Sequence, residues 1–98
     1  MNIDANKLVN GGFPPEEGRA LAATLLRRQD VNWDSLRVDV TRCPASLLIS
    51  AFFNGFLQEI SDRRRELLPK ARGIDWQLQF GFQRENVTRW MRDFRPAA

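Results

Sequence analysis

Asp39, Cys43, Ser46 and Ser50 fall close together, and they are the side chains of this sequence best suited to chemistry. A serine or cysteine nucleophile needs a base. The sequence contains no histidine, so Ser-His-Asp and Cys-His catalysis are excluded within the chain. One cysteine and no histidine also leave no ligand set for a structural zinc. What remains for Ser50 is modification. A phosphate near a helix N-terminus meets the positive end of the dipole and alters a docking surface. Packing offers the other reading, a small residue set close to a strand. Ser46 reads as an N-cap, its hydroxyl accepting from the backbone two or three residues on. Asp39 reads as an ion-pair partner for Arg37, Arg42 or Lys70. Cys43 has no base to activate it and reads as a small buried apolar residue. No acid–base pair assembles from spacing, so the chain is expected to be a non-enzyme without cofactor or metal.

The cations are the second candidate for chemistry. Net charge is +3, and residues 50–98 hold nine basic against six acidic side chains, whereas the first half is balanced. Arg63, Arg64, Arg65, Lys70 and Arg72 surround one helix end and the loop after it. Such a patch suits phosphates and gives the alternative function, a nucleic-acid or other polyanion binder. The ordinary explanation is a set of solvated helix faces, because acidic residues are interleaved throughout. Arg63 falls near an apolar stripe, which places its stem along the core with its head in water. Of the three tryptophans, Trp76 and Trp90 are in phase with apolar positions. Trp33 has no structural assignment and leaves a base-stacking reading open.

Periodicity supplies the elements that position these residues. Leu36 to Thr41 and Ile74 to Phe80 alternate apolar and polar side chains, the pattern of strands with one dry face. Asn2 to Val9 gives a weaker first strand, followed by the turn Asn10-Gly11-Gly12, which lacks the further elements of a phosphate loop. Pro14-Pro15-Glu16-Glu17 opens a helix that runs to about Arg28, its face marked by Gly18, Leu21, Ala22 and Leu25. Gly18 and Ala22 are small, so this helix can lie close to what it covers. A second helix runs from Ser46 to Glu66 with Ile49, Phe53, Phe56 and Ile60 in a stripe widened by Phe52 and Leu57. Its polar side carries Asn54, Gln58, Ser61, Asp62 and Arg65, and Pro69 ends it. A last helix covers Gln83 to Phe94, with Val87, Trp90, Met91 and Phe94 on one face.

Ninety-eight residues make one domain, 1–98, with a single core. The order β-α-β-α-β-α predicts a small two-layer α/β fold. Its sheet is mostly parallel, with three or four strands and helices mainly on one face, because clean alternation implies that only one side is covered. The other face, with Arg37, Asp39, Thr41, Asp75, Gln77 and Gln79, is left to solvent or a partner. The longest apolar run, Leu47 to Phe53, is too short to span a bilayer, and no signal peptide is evident. The lone cysteine fits a reducing compartment, so a cytoplasmic location is expected.

Three segments resemble the STAS-like domains, relatives of the sulfate-transporter and anti-sigma-factor-antagonist family. Glu17 to Leu26 resembles their first helix. Val38-Asp39-Val40-Thr41 resembles the central strand that runs into the key turn. Ile49 to Phe56 resembles the start of the following helix, and Gln83 to Arg92 then matches the last one. The resemblance covers roughly residues 16–94. It implies a bacterial regulatory module that binds another protein, a regulatory kinase or a copy of itself. The phosphorylated DSSG turn of the antagonists does not occur here; Ser46 and Ser50 are the serines near its place. The expected partner surface is therefore Arg42, Ser46, Ser50 and Asn54, with Ser50 the candidate phospho-acceptor.

Overall fold

The structure is a computed structural model, and it describes residues 2–4, 14–40, 49–78 and 84–96. Strand β1 is Asn2–Asp4, helix α1 Pro14–Arg27, strand β2 Arg37–Val40 and helix α2 Ile49–Arg64. Helix α3, Leu68–Ala71, strand β3, Asp75–Leu78, and helix α4, Arg84–Asp93, follow. Short 3-10 turns stand at Trp33–Ser35 and Arg65–Leu67.

The expected fold class, a two-layer β-α-β-α-β-α domain built on a parallel sheet of three or four strands, is overturned. The described chain is mostly helical, and its strands are three or four residues long. The main ladder is β2 paired in parallel with β3, from Arg37 opposite Asp75 to Val40 opposite Leu78. The short β1 adds to the other side of β2, also in parallel. An extra turn and an extra helix interrupt the expected alternation between α2 and β3. Alternation reports which side chains face the core, and it runs further than the ladder does. Leu36 and Ile74 are buried yet lie just outside their strands. Thr41, Gln79, Phe80 and most of the expected first strand lie outside the described residues.

The sheet has one dry side. Val38 and Trp76 are buried, whereas Arg37 and Asp75 are exposed and pair across the strands at 3.3 Å. Against the dry side lies an aromatic cluster. Phe53, Phe56 and Phe52 meet Trp76 edge-on at centroid distances of 4.8, 5.2 and 6.3 Å, the favoured geometry for ring quadrupoles. Leu57 and Ile60 complete the buried stripe of α2. Val87, Met91 and Phe94 of α4 are buried too, and Trp90 lies half-buried beside Phe53 at 6.0 Å. Ser61 departs from expectation: it is buried rather than on the polar side.

Helix α1 packs along α2 more extensively than any other pair of elements. The contact is so close because glycine stands on both sides. A methyl on Gly18 would overlap the backbone of Phe52 and Phe56, and one on Gly55 would overlap the backbone of Pro15. Arg19 of α1 then reaches Glu59 of α2 at 2.8 Å and Asp62 at 3.3 Å.

Proline placement explains the break after α2. Helix geometry fails at Arg64, whose φ and ψ are −143° and 67°, and not at Pro69 as expected. Pro69 instead sits in the first turn of α3, where its missing N–H breaks no hydrogen bond. Lys70 and Ala71, expected in a loop, are helical for the same reason.

Candidate functional site

Helix α2 spends almost its whole apolar face on the core, so its outward positions near the N-terminus are those left for recognition. Ser50 and Asn54 are one helical turn apart and both exposed. They line a groove of about 390 Å³ whose other wall is Trp90 and Asp93 of α4 with Phe94 just after it. Ala51 forms part of the floor. Residues four apart on α2 and on α4 face each other here because Phe53 and Trp90 hold the two helices together. The packing explanation for Ser50 is therefore corrected: it stands in the groove, not against a strand. Of the other expected surface residues, Arg42 and Ser46 lie outside the described residues, as does Cys43.

The groove mixes an apolar wall with a hydroxyl, an amide and a carboxylate. Its chemistry is hydrogen bonding around an aromatic anchor, which suits protein recognition. A phosphate on Ser50 would gain from the N-terminal dipole and would meet the carboxylate of Asp93 across the groove. Asp93 is paired with Arg92 at 3.2 Å. Modification would thus add a second negative group beside Asp93 and make the groove more acidic.

The cationic set is dispersed into internal contacts. Arg63 pairs with Glu59, which Arg19 also holds. Arg64 pairs with Glu66, Lys70 with Asp34 at 2.6 Å, and Arg72 donates to the Phe94 carbonyl at 2.8 Å. Arg65 lies near Asp62. The Gln58 amide at 2.7 Å, then Arg19 and Arg65, hold the Asp62 carboxyl below its usual range. Asp39 is half-buried on the open side of β2. Of the partners expected for it, Arg37 pairs with Asp75 and Lys70 with Asp34, and Arg42 lies outside the described residues. Asp75 also receives Arg84 at 3.2 Å, which ties α4 to the sheet.

Two carboxylates were missed as core residues. Glu17 was read as a helix-dipole partner, yet it is 3% exposed. Among the described residues neither of its oxygens has a hydrogen-bond partner. Burial pushes its pKa up. Glu59 is also buried, but between two guanidiniums. The signal was present: Glu17 stands four before Leu21, and Glu59 stands three after Phe56, so both share the apolar faces of their helices.

Among the described residues no three His, Cys, Asp or Glu side chains are grouped as metal ligands would be, and no helix is long and apolar enough to cross a membrane. No protein-family model, curated protein or solved structure matches the chain.

Proposed function

We propose that the chain is a non-enzymatic regulatory module that binds another protein through the groove between the start of α2 and α4. The observation that carries this reading is the pairing of exposed Ser50 and Asn54 with Trp90 and Asp93 around one groove. The sequence resemblance to STAS-like domains points the same way, since it implies a module that binds another protein. A bacterial, cytoplasmic signalling role belongs to the same proposal, with Ser50 as the phospho-acceptor that switches docking. Arg42 and Ser46, which lie outside the described residues, belong to the proposal on sequence grounds alone. Arg63 is held by the buried Glu59 and Arg72 by the Phe94 carbonyl, which makes polyanion binding the weaker reading.

Affinity purification from the source cells at moderate salt, with and without nuclease, tests the proposal. The expected result is a defined protein, a kinase or a second copy of the chain, captured by the wild type and retained after nuclease. Capture should fall when Ser50→Asp or Asn54→Arg is introduced. Capture that vanishes with nuclease or rising salt, and with Arg63, Arg64 and Arg65 replaced by Gln, assigns the chain to polyanion binding instead.

A further inference from the structure

Trp33, left without a role by the sequence pattern, stands on the 3-10 turn between α1 and β2. It packs half-buried at the margin of the core. The turn is fixed from several sides. The Asn32 side chain accepts from the Asp34 amide at 3.2 Å, and the Ser35 amide donates to the Asn32 carbonyl at 3.2 Å. Lys70 of α3 reaches the Asp34 carboxylate at 2.6 Å. Trp33 is thus held in place as one wall of a second groove, of about 520 Å³, at the end of the molecule where α1 finishes and α2 gives way to α3.

The lining of this groove has two parts. Leu26, Val31 and Leu67, all partly buried, join Trp33 as its apolar floor. Arg27, Arg28 and Arg64 form its rim, and among the described residues no carboxylate lines it. Arg27 touches the neutral Thr24 hydroxyl at 3.2 Å. Arg28 and Arg64 pair with Asp30 and Glu66, each two residues along the chain and exposed. Such exposed local pairs are weak, and an incoming anion exchanges for them readily. The volume lies in the range of small-molecule sites. Guanidinium forks match carboxylate and phosphate, and an indole offers a flat apolar surface.

We propose that this groove binds a small organic anion with a planar apolar body. The body lies on Trp33, Leu26 and Leu67, and the carboxylate or phosphate meets Arg27, Arg28 and Arg64. The site is at the end of α1 away from its Pro14 start, and it does not depend on the protein-binding reading of the α2–α4 groove.

The probe is 1-anilinonaphthalene-8-sulfonate, a flat apolar anion whose fluorescence rises on binding, titrated into the folded full chain. Saturable binding is expected. Replacing Arg27, Arg28 and Arg64 together by Gln should weaken it about tenfold or more, the loss of one or two charge-assisted contacts. The neutral analogue N-phenyl-1-naphthylamine should bind wild type more weakly by a similar factor. Competition then separates the two anion sources: displacement by adenosine monophosphate assigns a phosphate ligand, displacement by indole-3-acetate a carboxylate. Trp33→Leu should also reduce binding. If that variant fails to fold, the arginine variant, which alters only exposed side chains, still decides. Equal dye affinity in the arginine variant, equal affinity for the neutral analogue, or displacement by neither competitor overturns the proposal.

Discussion

Glu17 shows how one side chain can work against the fold that contains it. Its carboxyl is buried without a hydrogen-bond partner among the described residues, so ionising it inside the protein is unfavourable and its pKa rises above the ordinary 4.5. The folded state then holds its proton to a higher pH than the unfolded chain. Over that interval the folded state binds more protons, so this residue's contribution to stability falls as pH rises from the unfolded value through the folded one. Glu17→Gln removes the effect. Thermal unfolding from pH 4 to pH 8 should show the variant above wild type at neutral pH, with the gap closing in acid. A gap that stays constant with pH would show that the proton on Glu17 is not involved. Asp30, Asp62 and Glu66 act in the opposite sense. Hydrogen bonds chiefly from Arg28, Gln58 and Arg64 respectively lower their pKa values. Their contribution is present near neutrality and fades as pH falls through the lowered values.

At the scale of elements the decisive feature is the crossing of α1 and α2. Each helix presents a glycine to the other's backbone, and no flexible side chain stands between them to give way. Gly18→Ala and Gly55→Ala should each destabilise by about 2 kcal/mol or more, at the upper part of the overpacking range, despite the higher helix propensity of alanine. Urea unfolding measures it; a neutral or stabilising effect at both sites would mean that the helices are further apart than described. The Arg19–Glu59 pair spans the same crossing. Because Arg19 is 41% exposed, Arg19→Ala should cost below about 1 kcal/mol.

These elements also show what the sequence made legible. The small residues of α1 and the five apolar positions from Phe52 to Ile60 identified the contacting faces, because helical period and burial are directly linked. The strands were read too long, since alternation records burial and not ladder pairing, and the helical bulk of the chain was underweighted as a result. Pro69 was read as a terminator because its position in a first turn became visible only once the break at Arg64 was known. For the site, Ser50 and Asn54 were found as positions left over from packing. Trp90, Asp93 and Phe94 were not joined to them, because no local pattern tells which side of α4 meets the start of α2.

Over the whole molecule, stability rests on the rings gathered around Trp76, and the proposed recognition surface uses positions that these rings leave free. Trp76→Ala should cost about 3–5 kcal/mol, a large share of the roughly 5–15 kcal/mol typical of a domain. Trp76→Phe should cost less, because it keeps an aromatic ring and removes an indole N–H that has no partner among the described residues. Denaturant midpoints of the two variants give the comparison, and equal losses would contradict the assigned role of ring packing.

The separation of core from recognition surface is the central claim, and Asn54 tests it most directly. Asn54 is exposed on α2, beside a face that is otherwise buried. Quantitative capture of the protein partner by wild type and by Asn54→Arg, after nuclease and at matched concentrations of folded protein, is the measurement. The account predicts that capture is lost while the thermal midpoint stays within the small change expected of a surface substitution. Undiminished capture by Asn54→Arg would contradict it.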